Sequence, residues 1–362
     1  MRRLLSPLLA ALLAAFLACA VGAHAAPALV QGLVHGTGPD AQRFPWVRTD
    51  DAKVADRINR FLFIDTFEAL PPARASDGLR GIDAQNWQRV QALGYAVLRN
   101  DARVLSLRIE GEGCGAYCEN FSTGHAFDAA TGRHLSPGDL FTAEGLADIA
   151  RKVQANNAAR LRKEIAALNG KSRSKDEDRE DKAALYTDCL ESRQDPAYRQ
   201  IERTGRMEID AKGVLFTQGR CSNHAMRALD DLDVFSTRFT PAQLGPWLTA
   251  YGRALLGGEG TAPGAVTPSA APSPFDQVLH GTIDARLPVT LRLEPLRSDG
   301  SAAATYFYDR YRQAISVFGK YQDGVLLLEE SSDTRLRLTP DGAGLRGEWI
   351  SGQKKLPLVL AP

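Results

Sequence analysis

Residues Gly113–Phe141 read GCGAYCENFSTGHAFDAATGRHLSPGDLF. Two cysteines, an Asp-x-x-Thr-Gly turn and a Gly-Asp-Leu-Phe corner follow one another closely in this stretch. Phe121 to Phe127 alternates as a strand does, with Phe121, Thr123, His125 and Phe127 sharing one side. Asp128 ahead of Thr131-Gly132 suits a turn former whose side chain accepts backbone hydrogen bonds, and Asp139 is placed to brace the Pro137-Gly138 corner. Upstream, Leu105, Leu107 and Ile109 alternate with Ser106, Arg108 and Glu110, and Asn100-Asp101 sits where a hairpin would turn. The stretch therefore predicts an antiparallel sheet.

Helices flank it. Asp50-Asp51 precede a segment in which Val54, Ile58, Phe61 and Leu62 recur at helical spacing, and Pro71-Pro72 end it. Thr142 is placed to cap a helix carrying Leu146, Ile149, Val153, Leu161 and Ile165, closed by Asn169-Gly170. Thr240-Pro241-Ala242-Gln243 forms a capping box, after which one helix is expected to bury Leu244, Leu248, Tyr251 and Leu255 and to stop at Gly257. The run KSRSKDEDREDKA, residues 171–183, reads as a solvated loop or helix face. Residues 26–256 are thus expected to form an α+β domain with an antiparallel sheet and flanking helices.

Residues 257–274, GGEGTAPGAVTPSAAPSP, hold four Gly and four Pro with almost no large apolar side chain, the composition of a linker. Beyond it, LPVTLRL, TYFYDRY, AISVFG, GVLLLEE, TRLRL, LRGEW and LPLVL recur at roughly ten-residue spacing with Gly, Asp and Ser between them. Residues 275–362 are therefore expected to be a small all-β domain, an antiparallel meander or a small barrel. Tyr306, Tyr308, Tyr311 and Trp349 offer a sugar-stacking face, although alternating aromatics in a small barrel more often form its core.

Arg2-Arg3 precede an apolar run from Leu4 to Val21, and Ala23-His24-Ala25 has the small-x-small form of a cleavage site, so residues 1–25 are expected to be a signal peptide. Phe16 occupies the place where a lipidation signal at Cys19 would want an aliphatic residue. The mature chain then carries Cys114, Cys118, Cys189 and Cys221, an even set in an oxidising compartment, which predicts two disulfides. Three pairings are open; proximity favours Cys114 with Cys118, leaving Cys189 for Cys221. A zinc site built from Cys114, Cys118, His125 and His224 is the competing arrangement, but exported thiols are ordinarily oxidised.

With 44% hydrophobic and 24% charged residues and a net charge of +1, nothing points to nucleic acid or to acidic surfaces in general. There is no Gly-x-Ser-x-Gly elbow, His-Glu-x-x-His helix or phosphate-binding glycine loop. His125, Asp128, His134 and Asp139 lie close enough in sequence to suggest acid/base work, but His125 shares its strand side with Phe121 and Phe127, the setting of a core histidine.

Phe44-Pro45 leading to VADRINRFL, the strand pair, FDAATGRHLSPGDLF and FTPAQLGPWLTAYGRALL occur in that order. Residues 28–256 thereby resemble the extracellular domain shared by lysozyme-sensing anti-sigma factors and some exported peptidoglycan deacetylases. The resemblance implies an α+β domain that faces the envelope space, binding lysozyme in some relatives and accompanying a catalytic domain in others. Only Met1-Arg2-Arg3 would lie on the cytoplasmic side of the apolar segment, too little to hold a sigma factor, and the region past the linker lacks the clustered His and Asp of a deacetylase. That region, from Gly281-Thr282-Ile283 through Tyr306-Phe307-Tyr308 to Gly347-Glu348-Trp349, resembles a β module often attached to bacterial envelope proteins.

The expected function is that of a non-catalytic periplasmic or secreted protein. Its ligand would be an envelope protein, lysozyme being one, or a cell-wall saccharide, with no metal, cofactor or nucleic acid and no membrane span after signal cleavage. Glu110, Glu112, Glu119 and Tyr117, around the short cysteine loop, are the candidate ligand contacts. The alternative is a cell-wall-directed hydrolase using the His125 and Asp128 region.

Overall fold

The computed structural model describes residues 26–38, 40–79, 82, 90–115, 117–170, 177–195, 200–201, 205–257 and 273–362. The expected signal peptide, Cys19 and nearly all of the expected linker lie outside the described residues. Strands β1 (Leu29–His35) and β2 (Gln42–Arg48) pair as a hairpin. Helix α1 (Ala52–Phe67) follows, with the Asp51 carboxylate accepting from the Lys53 N–H at its start and Glu68 in the left-handed region at its end. Strands β3 (Val90–Asn100), β4 (Val104–Cys114) and β5 (Cys118–Asp128) form a three-stranded antiparallel sheet. The helices α2 (Pro137–Leu140), α3 (Ala143–Gly170) and α4 (Glu177–Ser192) come next. Then come β6 (Gly205–Asp210), β7 (Gly213–Gln218) and β8 (Phe235–Phe239), which form a second antiparallel sheet. The region closes with α5 (Pro241–Leu244) and α6 (Ala250–Leu256).

The β3–β5 sheet is the central layer, and strand alternation divides its side chains between two cores. Leu105, Leu107, Ile109 and Phe127 pack with α1 and the β1–β2 hairpin, where Phe44, Phe63 and Phe67 meet. Val104 and Ala126 turn the other way into a core with Ile149 and Val153 of α3 and with Ile209, Val214 and Phe216 of the second sheet. A third cluster, Leu161, Leu168, Leu185, Tyr186 and Phe235, joins α3 to α4 and sits beside the Cys189–Cys221 disulfide.

The turn motif has a steric cause. Gly132 has φ +69° and packs so closely on α1 that a Cβ there would lie 2.8 Å from the Val54 carbonyl oxygen, so glycine is required on both counts. The single helix expected after Thr240 is instead broken. The capping box is present, but the chain tightens over Gly245–Trp247, Leu248 becomes extended and bridges to Phe141, and Thr249 starts α6 by accepting from the Gly252 N–H at 2.8 Å. Proline at 246 cannot supply a helical N–H, and the bridge provides the replacement contact. Leu244, Leu248, Tyr251 and Leu255 are buried all the same.

The C-terminal region is a closed antiparallel barrel of eight strands: β9 (Gln277–Ile283), β10 (Leu287–Leu293), β11 (Ser301–Tyr308), β12 (Ile315–Gln322), β13 (Val325–Glu329), β14 (Thr334–Asp341), β15 (Gly344–Ser351) and β16 (Lys354–Ala361). Closure comes from β9, which pairs with both β10 and β16 and leaves no free edge. Leu279, Leu291, Val317, Leu328, Leu338 and Leu360 are among the side chains filling the interior. Of the four aromatics considered for sugar stacking, Tyr306 is buried in this core, Tyr308 and Trp349 are half-buried beside it, and Tyr311 is 67% exposed.

The barrel is not a free appendage. Val278 and Phe307, on its outer wall, belong to the same core cluster as α1. Arg57 reaches Gln277 at 2.9 Å, Gln277 donates to the His134 carbonyl at 2.9 Å, and Arg312 donates to the Leu70 and Pro71 carbonyls. Burying Val278 and Phe307 contributes about 1.5–3 kcal/mol each. A protein carrying an inserted protease site between 258 and 272 should therefore elute, once cut, as one particle in native gel filtration; separated halves would show that these contacts do not hold the barrel.

Cys114 is bonded to Cys118 and Cys189 to Cys221, the pairing that proximity favours. Closing a loop with a sequence separation of 32 residues, the second bridge is expected to stabilise the fold by about 3–4 kcal/mol through the unfolded chain. Denaturant unfolding of the double Cys189→Ser, Cys221→Ser variant measures the loss. Stoichiometric zinc held by four reactive thiols in the isolated protein would contradict the pairing.

Candidate functional site

Asp128 and Asp139 are occupied by the fold. The Asp128 carboxylate accepts from the Ala130 N–H at 2.8 Å and from the Tyr251 hydroxyl at 2.6 Å, while its carbonyl accepts from Gly132. Burial and the Asp128 charge together push the Tyr251 phenol far above its ordinary range, so it remains a donor. Asp139 accepts from the Ser136 N–H and hydroxyl and from Arg133 at 2.9 Å. His125 and Asp128 are three residues apart on β5, so alternation sends them to opposite faces of the sheet. They do not form a pair.

The cysteine-loop residues are brought together only in part. Register places Glu119 opposite Gly113, on the other face of the hairpin from Glu110 and Glu112. Glu110 accepts from Arg108 at 3.0 Å. Glu119 is paired with Arg220, which lowers its carboxyl below the ordinary range, and lies 3.6 Å from His224. Tyr117, 65% exposed, stacks on His224 with ring centroids 4.2 Å apart. His224 thus belongs to this tip, and the thiols are consumed in disulfides. The three glutamates form no common acidic surface.

A larger concentration of ionisable groups lies where the barrel meets α1. A cleft of about 600 Å³ is walled by Phe61, Asp65 and Glu68 of α1 and its end, Ser122 to His125 of β5, His134, Arg206 of β6, and Asp276, Arg292, Glu294 and Thr305 of the barrel region. His134 Nδ1 is 2.9 Å from Asp276 Oδ2, and Asp276 Oδ1 accepts from Arg292 at 2.9 Å. Arg292 also reaches Asp65 Oδ1 at 3.2 Å and lies over the Phe61 ring, 4.2 Å from its centroid. That ring stacks in turn on His134, 4.0 Å between centroids. Asp276 takes φ +59°, a left-handed conformation that aspartate tolerates better than most residues. Burial alone would raise its carboxyl, but His134 and Arg292 outweigh that and hold it at about 2.

His125 stands at the back of this cleft, 5% exposed, with Nε2 lacking any hydrogen-bond partner and lying 3.7 Å from Asp65 Oδ2. Burial lowers its pKa to about 4; Asp65 and Asp276 oppose the change, while His134 and Arg292 add to it. It is neutral at physiological pH. Among the described residues no group of three or more His, Cys, Asp or Glu side chains is placed to hold a metal ion.

Sequence reading singled out His125 and His134 but not Asp65, Asp276 or Arg292. Asp65 carries a local signal, a carboxylate between the buried Ile64 and Phe67. Arg292 carries none, because on a barrel wall an outward arginine reads as solvated.

The sequence matches no protein-family model, and no curated protein matches it. Among solved structures it is similar to a DUF3298 family member from Bacteroides fragilis. That likeness has 15% identity and a TM-score of 0.35, covering 63% of this chain and 96% of that one. A DUF3298 family protein from Pseudomonas aeruginosa gives 11% identity and a TM-score of 0.33, covering 62% of this chain and 95% of that one.

The depressed His125 pKa has a definite sign. As pH falls through about 6.5, the unfolded chain takes up the proton first, while the folded protein resists until about 4. Stability supplied by neutral His125 is therefore complete above about 6.5 and is withdrawn between 6.5 and 4, a change on the order of 3 kcal/mol. Replacing His125 by Phe should remove this part of the acid profile; superimposable profiles of melting temperature against pH for the two proteins would refute the assignment.

Proposed function

We propose that this is an exported, non-catalytic ligand-capture protein of the cell envelope, periplasmic or secreted. Its ligand would be a protein such as lysozyme or a cell-wall saccharide. The observation that carries the reading is the cleft beside α1: it is open, its lining mixes charged and apolar side chains, and its walls are tied across the two regions by His134 with Asp276 and Arg292 with Asp65. A seat built this way is preorganised, so little ordering entropy is lost on binding. His134 and Asp276 are engaged with each other, Arg292 is shared by Asp276 and Asp65, and none of them is set as a nucleophile beside a base, which favours binding over hydrolysis.

The export reading has independent support. Two disulfides suit an oxidising compartment, and among the described residues no helix is long and apolar enough to cross a membrane. The resemblance of residues 28–256 to a lysozyme-binding extracellular domain supports lysozyme as the first ligand to test.

Calorimetry of the mature protein with lysozyme at low and physiological salt tests it. A saturable heat that weakens with salt is expected if carboxylates attract a cationic partner. Absence of heat at both salts would remove lysozyme and leave a saccharide or another envelope protein as the ligand. Hydrolysis of cell-wall material that vanishes in a stably folded His125→Ala variant would overturn the non-catalytic reading.

A further inference from the structure

We infer that the part of the cleft faced by His125 Nε2 and Asp65 is a seat for an organic cation, an ammonium or guanidinium group borne by the ligand. The inference rests on the capture reading only for what carries the cation. The first ground is an unmet bond. His125 Nε2 is buried and has no partner, and Asp65 Oδ2 at 3.7 Å lies beyond hydrogen-bond reach. A buried polar nitrogen left unbonded costs free energy that a donor restores. With the imidazole neutral, Nε2 can serve as an acceptor beside a second acceptor, the Asp65 carboxylate. A group that satisfies both must present at least two N–H donors, as ammonium and guanidinium do.

Charge balance gives the second ground, independent of the first. Four carboxylates line the cleft, Asp65, Glu68, Asp276 and Glu294, against the guanidiniums of Arg206 and Arg292. Both guanidiniums are already claimed: Arg206 lies 2.9 Å from Glu208, and Arg292 is shared by Asp65 and Asp276. Glu68 and Glu294 are exposed and make no ion pair among the described residues. An anion entering here meets uncompensated carboxylates, and a neutral group gains hydrogen bonds from them but no charge attraction. A cation is attracted by Glu68 and Glu294 at the rim and bonded by Asp65 and His125 at the back.

Room gives the third. A volume of about 600 Å³ exceeds what an ammonium group needs, so the seat takes the cation together with the body that carries it, either a lysine or arginine side chain or an amino sugar.

The test uses the full mature chain and small probes, namely agmatine, Nα-acetyl-lysine amide, glucosamine and, as the uncharged control, glucose. Titration followed by imidazole NMR should show saturable shifts of the His125 ring with the cations and none with glucose. The stronger probe class decides between a protein side chain and an amino sugar as the source. Glu68→Gln with Glu294→Gln, whose side chains make none of the docking ion pairs, should weaken binding severalfold. Asp65→Asn, checked for an unchanged melting temperature, should weaken it roughly tenfold or more. Saturation by glucose equal to that by the cations, or cation binding unchanged in both variants, would overturn the seat. Lysozyme bound with wild-type affinity by Asp65→Asn, together with agmatine and Nα-acetyl-lysine amide binding that variant equally well, would also overturn it while leaving capture intact. Cation binding without any lysozyme heat would uphold the seat and remove lysozyme alone.

Discussion

Arg292 is the point on which the two regions turn. Its guanidinium lies over the Phe61 ring of α1 and is bonded to Asp65 on that helix and to Asp276 at the start of the barrel region. It is 6% exposed, so its charge has been taken out of water and must be met by neighbours. A buried charge set of this kind adds little net stability compared with apolar packing. Removing one member is another matter, because the others are left unpaired. What the set does is tie two regions at one point: Nη2 donates to both Asp65 and Asp276 while Nη1 donates to the Leu293 carbonyl, so the helix and the barrel wall share one nitrogen.

That arrangement is possible because α1 is covered on more than one side. Phe63 and Phe67 pack against Phe44, Phe61 turns to Phe127 and His134, and Asn59 inserts its amide against β2, accepting from Val47 N–H and donating to Val47 carbonyl, both at 2.8 Å. The side chain of Asn59 thus completes a strand-like pair of hydrogen bonds from a helix, which satisfies a polar group that would otherwise be orphaned in the core. With the helix fixed in this way, Asp65 and the barrel residues opposite it have defined positions. The cleft inherits that rigidity.

Much of the architecture was legible because it depends on local pattern. The alternation of Leu105, Leu107 and Ile109 and the helical spacing of Val54, Ile58, Phe61 and Leu62 fall where the β4 strand and α1 are found. Regular apolar runs after residue 275 pointed to an antiparallel meander or small barrel, and eight strands close into a barrel. The break between α5 and α6 was missed because Leu248 leaves the helix to bridge Phe141, more than a hundred residues upstream. The site was less legible for the same reason. His125 and His134 stood out by type, but their partners come from α1 and from a barrel wall more than 140 residues away in sequence. Thr290 and Arg292 alternate with Val289, Leu291 and Leu293 as solvent-facing residues would, and nothing local says that this wall is covered.

The same separation explains why the acidic candidates at the cysteine loop disperse while an unanticipated set converges. Glu110 and Glu119 lie on neighbouring strands, yet alternation turns them to opposite faces, and each is already matched by an arginine. Proximity in sequence guaranteed neither a shared surface nor free charge. In the cleft, by contrast, Glu68 stands just past the end of α1, where the chain has turned left-handed, and Glu294 lies just past β10. Both are the first residues beyond an element's end, outside the ladder and the helix that would have dictated their direction. Element ends release side chains toward whatever space the packing leaves, and here docking the barrel on α1 leaves that space as a cleft. The unpaired carboxylates at its rim therefore follow from how the elements terminate, and the buried histidine behind them from which face of β5 the helix covers.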